Sequence, residues 1–362
     1  MRVCIAAGGT GGHIYPATAL AKEILKDPDS EVLFVGTTTR MEAKLLPEAG
    51  FPYFGIEVQG VANRRLLGKV LPLAQIAKAY FVMKKKLKEY RPDIVVGFGN
   101  YISVPVILAA KSLKIPTMIH EQNSVAGKAN LYLGKTADKV VISQEDSAKD
   151  FPKTKTVLLG NPRASEAVQV PYDEKVLTDL GLDPKKKTVL IVMGSLGSES
   201  VNETMRTVLE DLAGRDYQIV FATGREGYED TVRGLNLGDN ERVLPYVDQL
   251  ALMRVCELIV SRAGATSTAE IAAMGIPAIL VPSPYVPNNH QHYNALSMVK
   301  RGCAMELEEK DLSAKKLEDL LDEAMNDPEK LSAMRKAAEG AGYPNAAGDI
   351  LDLMKQMSRK DK

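Results

Sequence analysis

The sequence predicts an α/β protein of two doubly wound, parallel-sheet domains. Three observations carry that expectation. Short apolar runs alternate with helical patterns along all 362 residues, as they do in right-handed β-α-β units. An apolar run at 3–7 enters the turn Gly8-Gly9-Thr10-Gly11-Gly12-His13 and then a helical pattern. The same form returns in the second half, where 189–193 leads into Gly194-Ser195-Leu196-Gly197-Ser198 and another helix.

In order, the strand-like runs lie near 2–7, 32–36, 93–97, 117–119, 138–142 and 156–159, then near 188–193, 217–223, 256–260, 277–281 and 303–307. Short, continuously apolar runs read as strands covered on both faces. The stretch 160–171, opening with Gly160-Asn161-Pro162-Arg163, reads as a linker. Two Rossmann-like domains, 1–160 and 161–344, are therefore expected to face one another across a cleft. A last helix, 345–358, fits on either domain, and its spacing does not decide which.

Hydrophobic residues at 45% and charged residues at 25% are the balance of an ordinary soluble globular protein. Cys4, Cys256 and Cys303 are odd in number and far apart. That suits a reducing compartment, and neither a disulfide framework nor a zinc site. No run is apolar for long enough to span a bilayer, and only a five-residue apolar run precedes the first glycines. Neither a transmembrane segment nor a signal peptide is expected, so the reading is cytosolic. Net charge is zero, but residues 1–160 hold 22 Lys and Arg against 14 Asp and Glu, and the remainder 24 against 32. The first half is thus the candidate for an anionic surface.

The glycine turns fall where α/β sheets bind ligands, at carboxyl ends of strands and at helix N-termini. The first is not a dinucleotide fingerprint. G-x-G-x-x-G from Gly9 would need glycine at Ile14, and the run 32–36 ends in Thr37-Thr38-Thr39 where an acid is wanted. His13, with an imidazole that titrates near neutrality, is a candidate general base, or else a helix-start residue bonding a loop carbonyl. Gly97-Phe98-Gly99-Asn100-Tyr101 is a second such turn, with Ser103 as a possible helix cap. His120-Glu121-Gln122-Asn123 crowds donors and acceptors at a strand end. It suits hydroxyl recognition or proton transfer, or a capped loop in which Asn123 or Ser124 starts the next helix.

In Ser261–Glu270 small residues bare a helix N-terminus beside Arg262, which suits a pyrophosphate. Glu270 fits ribose hydroxyls, or a capping box with Ser267. The amides and imidazoles around His290 and Gln291, after Pro282-Ser283-Pro284-Tyr285, suit sugar hydroxyls. Residues 63–91 hold nine basic side chains and one acid, Glu89, interleaved with apolar ones. Such a basic amphipathic segment points to an anionic membrane surface. Nucleic acid is not expected, because stacking aromatics are few.

Taken in order, Gly8–His13 with Pro16, Gly97–Pro105, His120–Asn123, Gly160–Pro162, Gly194–Ser198, Ser261–Glu270 and His290–Ala295 resemble the MurG family. These are the peripheral membrane N-acetylglucosaminyltransferases of bacterial peptidoglycan synthesis. The resemblance spans nearly the whole chain, and its most specific parts are His120–Asn123 and Ser261–Glu270. It implies a GT-B glycosyltransferase fold whose last helix crosses back to the N-domain. It further implies UDP-N-acetylglucosamine as donor, undecaprenyl-pyrophosphoryl-N-acetylmuramyl-pentapeptide (lipid I) as acceptor and lipid II as product. The place implied is the cytoplasmic face of the bacterial cell membrane, with cell-wall synthesis and division proteins as further partners.

The resemblance also implies residue roles. The donor would meet Thr10, Gly11, Gly12, Asn123, Arg163, Ser195, Tyr246, Val247, Arg262, Ala265, Glu270, His290 and Gln291. Among these, Ser195 and Arg262 would face the phosphates, Glu270 the ribose, and the backbone at 246–247 the uracil. The acceptor pyrophosphate would meet Gly8, Gly9, Gly97, Gly99, Asn100 and Tyr101. Membrane contact would come from Arg64, Arg65, Leu67, Lys69, Leu71, Phe81, Lys84 and Lys85. His13 is the expected base and Glu121 the second candidate.

No cofactor and no intrinsic metal are expected, since the one Asp-x-Asp, Asp27-Pro28-Asp29, falls in a surface turn. Three positions depart from the family pattern: Asn100 for a third glycine, His290 for glutamine, and Tyr246-Val247 for Phe-Ile. Three other readings share parts of the pattern: a processive UDP-sugar diacylglycerol glycosyltransferase, a UDP-GlcNAc 2-epimerase and a non-catalytic membrane scaffold.

Overall fold

The computed structural model describes residues 1–60, 70–194 and 197–359. The chain divides into one unit of Met1–Ser165 with Asn345–Lys362 and a second of Glu166–Pro344. The boundary thus falls after Ser165 rather than after 160. The Ser165 hydroxyl accepts the backbone N–H of Ala347 at 3.0 Å, which ties the start of the helix Pro162–Val168 to the first unit's last helix.

The first sheet holds β1 (Arg2–Ala6), β2 (Glu31–Thr37), β3 (Tyr53–Ile56), β4 (Ile94–Gly97), β5 (Thr117–Glu121), β6 (Lys139–Ile142) and β7 (Thr156–Leu158). They lie in the order β3-β2-β1-β4-β5-β6-β7, with every pairing parallel. Alternation along β1 explains its unbroken apolar run. Val3 and Ile5 pack with Ile14 and Leu20, whereas Cys4 and Ala6 pack with Ile102 and Val106. A strand buried on both faces has no polar side. Ile350 and Met354 of the final helix, Ala346–Arg359, join the Val3–Ile5 face, so that helix belongs to the first unit.

The second sheet holds β8 (Thr188–Val192), β9 (Gln218–Ala222), β10 (Glu241–Leu244), β11 (Leu258–Ser261), β12 (Ala278–Leu280) and β13 (Ala304–Glu306). Its order is β10-β9-β8-β11-β12-β13, again parallel throughout. Val189 and Ile191 face one apolar cluster, and Leu190 and Val192 the other. Two strands escape the sequence pattern, β3 and β10. Both are edge strands: Tyr53-Phe54-Gly55-Ile56 is short and follows a proline, and Glu241-Arg242 opens β10 with charges.

Both sheets reverse direction of growth at their centre, between β1 and β4 and between β8 and β11. Ligands of open α/β sheets bind at such switch points, beyond the carboxyl ends of the strands. The four glycine-rich or small-residue turns found in the sequence follow these four strands.

The helix Val70–Tyr90 buries Ala79, Met83 and Leu87, one turn apart, in the core. Leu71, Leu73, Phe81 and Val82 stay exposed, as do Lys85 and Lys88. Arg64, Arg65, Leu67 and Lys69 lie outside the described residues. Among the described residues no helix is long and apolar enough to cross a membrane.

Candidate active site

In the first unit the turn after β1 opens the helix Gly11–Ile24, with Thr10 at its N-cap position. The Thr10 hydroxyl lies 3.0 Å from Nδ1 of His13. A side chain on Gly99 would stand 3.4 Å from Cδ2 and Nε2 of His13. The imidazole is therefore laid against the second glycine turn, and both turns meet around one ring. Gly99 (φ +84) and Asn100 (φ 63) take left-handed backbone, which Asn tolerates better than most residues. The helix starts at Asn100 with Gly99 as its N-cap, so Ser103 is not the cap. Ser103 instead donates back to the Gly99 carbonyl at 2.6 Å.

Not every glycine of the turns faces a ligand. The Gly9 N–H donates to Glu42 and the Gly8 carbonyl accepts from Asn100, so the Gly8–Gly9 peptide offers neither polar group to a pyrophosphate. Gly97 is buried against Ser103 and Ile107. These three glycines are scaffold, which corrects their assignment to the acceptor. Gly11, Gly12, Asn100 and Tyr101 remain at the turn surfaces, whereas Gly99 is buried against His13 and Asn130.

The His120–Asn123 motif turns mostly inward. His120 is buried, stacked on Phe98, and its Nε2 meets the Gly160 carbonyl at 3.0 Å. A carbonyl only accepts, so Nε2 carries the proton. Burial is the main cause that pushes the imidazole down to about 4, so His120 is neutral at pH 7. Gln122 donates to the carbonyls of Phe98 and His120.

Glu121 accepts four hydrogen bonds, from the N–H and Nδ2 of Asn123, the N–H of Gly127 and Nδ2 of Asn130, at 2.9 to 3.2 Å. A buried carboxylate so engaged holds a loop in shape and has no open position for a substrate proton. Glu121 is thereby removed as a base. The next helix starts at Lys128, not at Asn123 or Ser124. Asn130 and Glu42 are the residues sequence reasoning missed here. Asn130 stands seven residues beyond the motif, and Glu42 beyond the Thr37-Thr38-Thr39 run.

Arg163 also belongs to the first unit, its guanidinium 5.7 Å from the centre of the Tyr15 ring. Thr10, Gly11, Gly12 and Asn123 share that unit. The remaining described donor candidates lie in the second.

In the second unit a pocket of about 680 Å³ is lined by Gly194, Ser198, Arg262, Ser283, Gln291 and Glu309, among others. Ser195 lies outside the described residues. Arg262 donates to the Val281 carbonyl at 3.1 Å and to Ser198 Oγ at 2.7 Å, and pairs with Glu309 at 2.6 Å. Its charge is thus already balanced inside the pocket wall, where the sequence suggested an open cation.

The helix Ala265–Ala273 starts after Gly264, so Ser267 is not at the cap and the Ser267–Glu270 capping box does not form. Glu270 is buried in the second turn of that helix. Nδ1 of His290 meets the Pro287 carbonyl at 2.9 Å, which puts the proton on Nδ1 and leaves Nε2 as an acceptor. Gln291 Oε1 accepts the Ser283 N–H at 2.9 Å. Tyr246 and Val247 follow β10, the Tyr246 ring covered by Arg225.

Residues 3–142 match the glycosyltransferase family 28 N-terminal domain, and residues 188–350 the family 28 C-terminal domain. The chain is 41% identical to the UDP-N-acetylglucosamine–N-acetylmuramyl-(pentapeptide) pyrophosphoryl-undecaprenol N-acetylglucosamine transferase of Pediococcus pentosaceus, over 99% of this chain and 100% of that one. The enzyme of the same name from Listeria monocytogenes is also 41% identical, over 98% and 99%. Among solved structures, Acinetobacter baumannii MurG superposes with a TM-score of 0.82 at 30% identity, covering 98% of this chain and 99% of that one. The UDP-GlcNAc 2-epimerase of Neisseria meningitidis, solved with UDP-GlcNAc, gives 0.67 at 16% identity over 98% and 100%, a likeness of fold alone.

Proposed function

The chain belongs to glycosyltransferase family 28, and from that premise we propose how its two units divide the work of an N-acetylglucosaminyltransferase. The reaction moves N-acetylglucosamine from UDP-GlcNAc to the muramyl sugar of undecaprenyl-pyrophosphoryl-MurNAc-pentapeptide. The observation that carries the division is that each sheet opens a polar, glycine-rich turn at its own switch point. One presents His13 at a helix N-terminus, and the other stands over the pocket backed by Arg262.

The second unit holds the donor. The backbone at 246–247 reads uracil and Glu270 binds the ribose. The N-terminus of Ala265–Ala273 and the turn after β8 take the pyrophosphate. Nε2 of His290 and the amide of Gln291 meet the sugar.

The first unit holds the acceptor at Gly11, Gly12, Asn100 and Tyr101. Its 4-hydroxyl oxygen attacks the anomeric carbon from the face opposite UDP, giving inversion through an oxocarbenium-like transition state. The hydroxyl proton passes to Nε2 of His13, whose Nδ1 is oriented by Thr10. The anomeric C–O bond breaks and UDP leaves with the electron pair. Helix N-termini meet the growing charge, with Arg262 held behind them by Glu309, and no resident metal is assigned to the step. The exposed apolar and basic face of Val70–Tyr90 docks the enzyme on the anionic cytoplasmic leaflet, where the lipid acceptor resides.

UDP release from UDP-GlcNAc, measured with and without a lipid I analogue and with product mass, tests the reading. Acceptor-dependent release and one added N-acetylhexosamine are expected. Donor binding without release on lipid I, but with release on diacylglycerol, would replace it with a glycolipid synthase. Sugar isomerisation alone would replace it with an epimerase.

A further inference from the structure

We propose that Glu42 is a positioning residue for the transfer: with Asn100 it locks the single peptide plane from which the His13 turn is aimed. The inference rests on the reading that the His13 turn is the reactive one. Glu42 opens the helix Glu42–Glu48 and is fully buried. One oxygen accepts the N–H and hydroxyl of Thr37 at 3.0 and 2.7 Å, and the other accepts the Gly9 N–H at 3.0 Å. The Arg40 N–H donates to the Thr37 hydroxyl oxygen, which leaves that hydroxyl's proton for Glu42. No ion pair reaches the carboxylate among the described residues.

The chain makes room for this group. A Cβ on Gly8 would stand 2.5 Å from the Glu42 carboxylate, and one on Gly36 2.6 Å from its Cγ. A buried carboxylate without a cation is costly, and here three donors, two of them backbone N–H groups, offset that cost.

Its consequence is geometric. The Gly9 N–H and the Gly8 carbonyl are the two polar groups of one peptide unit. Glu42 holds the first and Asn100 Nδ2 holds the second, at 3.1 Å. Gripped at both ends, the peptide cannot flip. It fixes Gly9 at φ +86 and so sets Thr10, whose hydroxyl orients His13.

Glu42→Gln keeps the volume but turns an amide NH2 toward a donor. Turnover should fall on the order of tenfold to a hundredfold, as expected for a small misplacement of a reacting group, with the donor KM within about twofold of wild type. The imidazole NMR resonances of His13, assigned with His13→Ala, should shift. Thr37→Val removes one donor to the carboxylate and should move both readouts the same way by less. Met354→Ala, on the buried face of the last helix, is the control: it should lower the melting temperature and leave turnover unchanged.

The proposal is overturned if Glu42→Gln, or Thr37→Val where the first does not fold, lowers the melting temperature but leaves turnover and the His13 resonances as in wild type. Wild-type enzyme without transfer activity would refute the functional reading instead, and the NMR comparison would still decide the role of Glu42.

Discussion

His120 donates its Nε2 proton to the carbonyl oxygen of Gly160, forty residues along the chain, at 3.0 Å. The bond joins the end of β5 to the segment that leads out of β7; it favours the charged ring, and burial, which opposes that charge, outweighs it. Burial pushes this imidazole from its ordinary 6.5 down to about 4. Between those values the unfolded chain binds more protons than the folded one. The stabilising contribution is therefore complete above pH 6.5 and is lost as pH falls toward 4, roughly 3 kcal/mol in all. His120→Gln keeps an N–H donor for Gly160 and removes the titration. Urea unfolding at pH 7 and pH 4.5 should show a smaller stability difference in this variant than in wild type. An equal difference would mean that His120 does not carry the acid sensitivity.

The fold was legible because most of its strands are short apolar runs. β3 was missed because Tyr53-Phe54-Gly55-Ile56 is short and follows a proline, and β10 because it opens with Glu241-Arg242, whereas the other two edge strands, β7 and β13, kept an apolar run. The glycine turns were legible as turns, but not which way each peptide faces. Gly8, Gly9 and Gly97 look like Gly11 and Gly12 in sequence, and only the approach of Glu42, Asn100 and Ser103 separates them. Glu121 misled for the same reason. A carboxylate beside a histidine suggests proton transfer, but its four donors come from Asn123, Gly127 and Asn130, and the most distant of these is nine residues away. Arg262 reads in the sequence as an open cation beside a helix N-terminus; its ion pair was not legible, because Glu309 opens a short 3-10 helix that no motif marks.

His13 and Glu121 should fail differently. His13→Ala should keep its melting temperature and lose on the order of a hundredfold or more in turnover, together with the limb of the pH profile set by the base. Glu121→Gln leaves buried donors facing an NH2 and should lose about 2–4 kcal/mol of stability. Its residual activity should keep the wild-type pH profile. Thermal melts beside pH-rate curves check both; a missing limb in Glu121→Gln would restore Glu121 as a base.

Glu270 is buried in the second turn of Ala265–Ala273, outside any capping box, and the ribose contact proposed for its carboxylate is open to a direct test. Glu270→Ala should weaken UDP binding by roughly tenfold, the loss of charge-assisted hydrogen bonds, and raise the donor KM with turnover changed less. Calorimetry with UDP and with 2′-deoxy-UDP checks the contact. If the variant discriminates between the two ligands as wild type does, Glu270 does not touch that hydroxyl.

The helix Val70–Tyr90 makes the membrane prediction quantitative. Phe81 is 69% exposed and Leu71 61%, an arrangement with no benefit in water. Tyr80 packs edge-on against Phe81, and the Lys84 ammonium lies 5.9 Å from the centre of the Tyr80 ring, so apolar and cationic groups share one surface. Phe81→Asp removes buried area and adds a repelled charge, whereas Lys85→Gln removes only about 1 kcal/mol of attraction to an anionic surface. Partition to vesicles should therefore fall further for Phe81→Asp. The Lys85→Gln deficit should vanish on neutral vesicles or in high salt, where the electrostatic part is absent. Turnover on a short-chain soluble acceptor should be unchanged in both, because neither residue lies at the glycine turns. Equal vesicle binding by Phe81→Asp and wild type would assign this face to another partner.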